Sequence, residues 1–158
     1  MSPTVREARA GLVTITKQFT FEASHILPQH PDKCARLHGH SWRLVVSVRG
    51  PVDARSGFVC DFYELARVVD THVIEKLDHT HLGYGPALTG ADDASSGKLW
   101  HPYLGATFYP SSEQLVVAIA RILQPLIPEI KDGISLETVE LSETCTACAR
   151  WDASDAVL

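Results

Sequence analysis

Residues 12–25 read LVTITKQFTFEASH, and residues 37–49 read LHGHSWRLVVSVR. Both stretches alternate. In the first, Val13, Ile15, Lys17, Phe19, Phe21 and Ala23 fall on one face, with Thr14, Thr16, Gln18 and Thr20 on the other. That is the period of a half-buried strand, expected from Leu12 to Ala23. The next position on the apolar face is His25. In the second stretch His38, His40, Trp42, Leu44, Val46 and Val48 lie opposite Ser41, Arg43, Ser47 and Arg49, which predicts a second strand. Side chains two apart on a strand point the same way, so the HGH spacing aims both imidazoles at one spot, on the face that continues into the core. The connection ILPQHPDK, with two prolines, is turn-rich. Paired as an antiparallel hairpin, the strands would bring His25 to His38 and His40.

Beyond this hairpin, GPVDARSG reads as a loop and DFYELARVVDTHVIEKLD as a helix. Asp61 can cap it, with Glu64 completing a capping box, and Phe62, Leu65, Val69, Val73 and Leu77 form its apolar stripe. Residues 83–110 show no sustained periodicity, and GADDASSGK within them is flexible by composition. A second helix is expected from PSSEQ, where Ser111 and Gln114 match a capping box, through Leu115, Ile119, Ile122 and Leu123 to Pro125. A last strand over Ser135 to Thr144 places Val139, Leu141 and Glu143 on one face, with room for a further strand after Cys148. The expectation is an α+β chain with one domain over residues 12–151 and a flexible leader over residues 1–11.

The 158 residues are 45% hydrophobic and 21% charged, ordinary for a soluble protein. A net charge of −5 without a basic run argues against a nucleic-acid partner. No run of apolar residues is long enough to span a membrane, and MSPTVREARAG lacks the apolar centre of a secretory signal, so a cytoplasmic location is expected. The four cysteines (Cys34, Cys60, Cys145 and Cys148) then read as free thiols. Cys145 and Cys148 form a lone CxxC; a structural zinc site would want a second pair.

His25, His38 and His40 can supply the three protein ligands of a catalytic zinc site, which keeps a fourth position for water or substrate. The bland alternative is three strand histidines hydrogen-bonded to backbone; three on matching faces favour the metal. Cys34 stands four residues before His38 and can serve as base, nucleophile or fourth ligand. Asp78-His79 ends the first helix, as an orienting pair or simply a polar helix end. Glu143 lies on an inward face or at a solvated strand end; inside, it would need a partner offering paired N–H donors. Lys33 and Arg36 are cations near the cluster, available to phosphates or only to solvent.

Taken in order, FTFEASH, CARLHGH, GFVCDF, LDH, PSSE and ETCTA resemble the 6-pyruvoyltetrahydropterin synthase / 6-carboxytetrahydropterin synthase family, over about residues 17–82 and 110–151. The three-residue gap in C-x3-H-G-H is similar to the bacterial 6-carboxytetrahydropterin synthase branch. The resemblance implies a tunnelling fold (T-fold): an antiparallel sheet with two helices on one face, closed into a barrel by oligomerisation, with sites between the subunits of a homo-oligomer. It implies zinc on His25, His38 and His40, a catalytic thiol at Cys34 assisted by Asp78 and His79, and a pterin held by Glu143 beside Ser111 and Ser112. The implied reaction of the carboxy branch converts 7,8-dihydroneopterin triphosphate to 6-carboxy-5,6,7,8-tetrahydropterin, acetaldehyde and triphosphate, feeding 7-deazapurine (queuosine-type) synthesis. The alternatives are a 6-pyruvoyltetrahydropterin synthase, which eliminates triphosphate without carbon–carbon cleavage, and a zinc- or pterin-binding module without turnover. The chain departs from the family pattern twice. Gly83 stands where an asparagine is expected, and about twenty extra residues lie within 84–109, carrying Trp100, His101 and Tyr103.

Overall fold

The computed structural model of the chain describes residues 11–83, 103–104 and 109–155. The leader (apart from Gly11) and most of the 84–109 segment, Trp100 and His101 included, lie outside these described residues. Strand β1 (Leu12–His25) pairs antiparallel with β2 (His38–Pro51) along its whole length. The alternation extends β1 two residues past Ala23, and the register sets His25 opposite His38 and Ala23 opposite His40. Strand β4 (Ser135–Thr144) joins the far side of β2, and β5 (Ala147–Asp152) joins β4. A two-residue strand, β3 (Thr80–His81), runs parallel to β1 at Ala23 and Ser24. Nothing in its sequence signals a strand. The sheet order is β3-β1-β2-β4-β5.

The first helical run is α1 (Phe62–Val69), a π-turn (Asp70–Ile74) and α2 (Glu75–Leu77). Asp61 caps it by accepting from the Tyr63 amide at 2.8 Å. The expectation of one continuous α-helix is corrected here, and the stripe explains why. Leu65, Val69, Val73 and Leu77 are all fully buried, and steps of four residues drift round a helix of 3.6 residues per turn. The wider π-turn, in which the Glu75 amide reaches back to the Asp70 carbonyl, takes up that drift and keeps Val73 and Leu77 facing the sheet. The second helix, α3 (Ser112–Leu123), is capped by Ser111, whose hydroxyl accepts from the Gln114 amide, and it stops before Pro125. A short helix, α4 (Ile127–Ile130), follows where no helix was expected.

Both helical runs cover one face of the sheet. Phe19, Phe21, Trp42, Leu44, Val46, Val139 and Leu141 from the strands and Leu65, Val69, Ile119 and Leu123 from the helices form one buried cluster. The other face is polar, as the alternation required: Thr16 bonds Ser47 at 3.0 Å and Arg49 pairs with Glu137 at 3.1 Å. The four cysteines of the sequence are free, and only Cys60 is buried.

Candidate metal and pterin site

The histidine cluster sits where the core face of the sheet reaches its end. His25 is fully buried, and His38 and His40 are half-buried. Trp42, two residues on from His40, forms the floor: its ring stands edge-on to His25 and His40, and its indole N–H donates to the Ala23 carbonyl at 3.1 Å. The three imidazole centroids lie 4.4 to 5.0 Å apart.

Two of the rings are oriented by backbone carbonyls. His25 Nδ1 lies 2.7 Å from the Pro110 carbonyl oxygen, and His38 Nδ1 lies 2.7 Å from that of Arg36. A carbonyl oxygen only accepts, so each Nδ1 carries the proton and each Nε2 presents a lone pair. Among the described residues, His38 Nε2 is buried without a hydrogen-bond partner. His25 Nε2 faces His40 Nε2 at 3.2 Å, and His40 Nε2 lies 3.2 Å from Glu143 Oε1. A single proton on His40 can serve His25 or Glu143 but not both, and it leaves His38 unsatisfied. One cation among them would satisfy all four, and the ligand atoms of His25, His38, His40 and Glu143 lie within 4.8 Å of one another. Carbonyls holding the non-ligating nitrogens are the usual outer support of a histidine metal site. Burial lowers the pKa of His25, partly offset by its bond to Pro110. Burial also lowers that of His40, partly offset by the Glu143 carboxylate. Both therefore favour the neutral form that binds a metal. The donor set fits a divalent transition metal.

Glu143 reaches the cluster through an irregularity. Along β4 and β5, Ser142 pairs with Cys148 but Thr144 pairs with Ala147, so two steps on β4 answer one on β5. Glu143 is the extra residue of a β-bulge, a feature that re-aims side chains beside functional sites. It also borders an open groove of about 430 Å³ with Ser41, Arg43, Ser142, Thr144 and Cys145.

Cys34 is half-buried in a 3-10 turn, Lys33–Ala35, just ahead of β2, and its sulphur is outside the four-residue metal group. Lys33 and Arg36 are exposed around it. Asp78 and His79 do touch: Asp78 Oδ2 is 2.9 Å from His79 Nδ1, while Asp78 Oδ1 accepts from the Glu22 amide at 2.8 Å. The Glu22 amide, and then the His79 ring, hold the Asp78 carboxyl below the usual carboxylate range. His79 has a φ of 56°, the left-handed region that non-glycine residues rarely occupy. Its amide donates to the Glu22 carbonyl at 2.6 Å, which holds the turn against β1. There His79 lines an open groove of about 570 Å³ with Glu22, Ser24, Gly39, His40, Ser41 and His81. By strand alternation Glu22, Ser24, Gly39 and Ser41 belong to the face opposite the histidine cluster.

Ser111 and Ser112 begin α3 immediately after Pro110, whose carbonyl orients His25. Gly83 packs against Pro110: a Cβ there would come within 3.0 Å of the proline Cγ. The departure from asparagine thus leaves room for the residue that holds His25. The part that the Pro110 and Arg36 carbonyls play in orienting His25 and His38 carried no signal in the sequence. Trp42 did, as the residue continuing the HGH face. From the 84–109 segment, the Tyr103 hydroxyl donates to the His72 carbonyl in the π-turn at 2.6 Å.

A family model described as 6-pyruvoyl tetrahydropterin synthase matches residues 14–154. The chain is 34% identical over 142 residues to a 6-carboxy-5,6,7,8-tetrahydropterin synthase of Synechocystis sp., covering 87% of this chain and 91% of that protein. It is 36% identical over 80 residues to the 6-pyruvoyl tetrahydrobiopterin synthase of Drosophila melanogaster, covering 43% of this chain and 48% of that protein. The 6-pyruvoyl tetrahydropterin synthase structure of Caenorhabditis elegans superposes with a TM-score of 0.68 at 22% identity, over 92% of this chain and 99% of that one; at that identity the likeness speaks for the fold. With the family match running from β1 to the residues just past β5, the chain belongs to the 6-pyruvoyl tetrahydropterin synthase family.

Proposed function

We propose that the protein is a zinc-dependent 6-carboxy-5,6,7,8-tetrahydropterin synthase. Its substrate would be 7,8-dihydroneopterin triphosphate, converted with uptake of water to 6-carboxytetrahydropterin, acetaldehyde and triphosphate for 7-deazapurine synthesis. The observation that carries the reading is the convergence of three imidazole lone pairs, two fixed by carbonyls, on one point. A relative that shares 91% of its length with this chain is named a 6-carboxy-5,6,7,8-tetrahydropterin synthase, which favours that product over the pyruvoyl one.

His25, His38 and His40 would hold the zinc, which when bound supplies a Lewis acid for the hydroxyls of the substrate side chain. Glu143 would accept the ring N–H and exocyclic amine of the pterin, two parallel donors matched to one carboxylate. The Ser111 and Ser112 hydroxyls would border the ring. Asp78, by accepting from His79 Nδ1, leaves Nε2 of that ring to take or give a proton, and Cys34 would be its counterpart in proton transfer. In one chain the His79 groove is bordered by His40 but is lined mainly by residues of the sheet face opposite the histidine cluster. This supports a site completed between subunits, as does the outer edge of β1, unpaired before Ala23 among the described residues.

The test is mass spectrometry of the products made from dihydroneopterin triphosphate. Acetaldehyde with 6-carboxytetrahydropterin is the expected result. A pyruvoyl pterin without acetaldehyde would assign the other branch, and no turnover by the zinc-loaded protein would leave a binding module.

A further inference from the structure

The turn that follows α2 is held to β1 by backbone and by side chains. The His79 amide donates to the Glu22 carbonyl at 2.6 Å, and the Leu82 amide donates to the Ser24 carbonyl at 2.8 Å. A further bond joins two side chains outside the metal group: Ser24 Oγ lies 3.0 Å from His81 Nδ1. We propose that His81, through Ser24, is a positioning residue for His79. It fixes the turn so that His79 keeps its left-handed backbone and its ring stays on the Asp78 carboxylate.

The His79 side chain is 79% exposed, so its backbone rather than its packing aims the ring. That backbone, with a φ of 56°, is the one non-glycine case of positive φ among the described residues. Such a conformation persists only where the surroundings over-determine it. Before His79, the hydrogen bond of the Glu22 amide to Asp78 Oδ1 supplies the constraint. After it, β3 offers a ladder of only two pairs, Ala23 with Thr80 and Ser24 with His81. The part-buried Ser24–His81 bond reinforces the second pair, and Leu82, fully buried, anchors the end of the turn. Burial lowers the pKa of His81, so the ring is neutral near pH 7 and its bond to Ser24 is one that a neutral amide can replace.

The inference rests on the reading of Asp78 and His79 as a proton-transfer pair, and two readouts separate the two. Amide hydrogen exchange over residues 77–83 is followed by mass spectrometry for the wild type, His81→Leu, Ser24→Ala and His81→Asn. Turnover, KM, zinc content and melting temperature are measured on the same preparations. His81→Leu and Ser24→Ala are each expected to speed exchange in that segment by at least about tenfold. Each should lower kcat by about 10–100-fold, the cost of a misplaced group, with KM within about twofold and zinc retained. His81→Asn, whose amide reaches the place of Nδ1, is expected to restore both readouts. Ser24→Ala removes the same bond with little change of shape, so it decides the matter if His81→Leu does not fold. Unchanged exchange, or faster exchange with the wild-type kcat, would overturn the positioning role. So would a fall in kcat that loss of zinc or of melting temperature accounts for in full. In each of those cases an active wild type leaves the proposed reaction standing. A wild type without turnover would overturn both.

Discussion

His25 and the Pro110 carbonyl meet at 2.7 Å across a separation of 85 residues. Pro110 immediately precedes Ser111, the cap of α3, so this hydrogen bond ties the start of the second helix to the innermost histidine. It fixes the His25 tautomer and points Nε2 at the space shared with His38, His40 and Glu143. The candidate metal site is therefore supported by the helix layer as well as by the hairpin that carries it.

Replacing His38 with alanine is expected to remove bound zinc and all turnover. Among the described residues His38 Nε2 is buried with no hydrogen-bond partner, so the bond of Nδ1 to the Arg36 carbonyl accounts for only one of its two ring nitrogens. Elemental analysis of the purified variant checks this, and full metal content would sink the assignment.

Cys34→Ala is expected to keep zinc and fold while turnover falls by about 10²–10⁴-fold, the usual contribution of a positioned proton-transfer group. The thiol lies outside the four-residue metal group. Metal content and kcat measured on the same preparation decide it; a parallel loss of both would make Cys34 a ligand.

Asp78→Asn is expected to lower kcat by at least about tenfold with zinc retained. The substitution leaves an acceptor for the Glu22 amide but removes the charge beside His79 and scrambles its tautomer. Turnover and zinc content measured on the same preparation are the readout. An unchanged kcat would place the pair outside the reaction.

The metal-free protein is expected to lose thermal stability as pH falls below 6.5. His25, His40 and His81 all have pKa values lowered from 6.5 in the folded state, in each case chiefly by burial. Between 6.5 and those lowered values the unfolded chain binds more protons than the folded one, so stability decreases with falling pH. Melting curves from pH 7.5 to 5.5 test this, and His25→Gln should flatten the trend.

A homo-oligomer is expected, because the outer edge of β1 from Leu12 to Glu22 carries no partner strand among the described residues. Light scattering at micromolar concentration measures it. A monomer with full activity would contradict a site shared between subunits.

Much of this architecture follows from short-range pattern. A two-residue period assigns every side chain of β1 and β2 to a face, so the apolar runs around Phe19 and Leu44 decide that His25, His38 and His40 share the core side. Cap chemistry at Asp61 and Ser111 placed both helix starts for the same reason: it is local. The π-turn is latent in the four-residue spacing of Leu65, Val69, Val73 and Leu77, a spacing that an ordinary apolar stripe also accommodates.

What local pattern does not contain is which distant group arrives at a given point. The alternation put Glu143 on a face, but the bulge between Ser142 and Thr144 and the pairing of β4 with β2 brought its carboxylate to His40. The Pro110 carbonyl, the contact of Gly83 with that proline and the parallel bridge of β3 to β1 are likewise products of packing. Sequence by itself determined the donor types, their common face and the family. The tertiary structure decided the tautomers, the fourth member of the cluster and the groove in which His79 stands. The physical reason is that periodicity encodes direction along one element, whereas a hydrogen bond across 85 residues exists only once the whole core has closed.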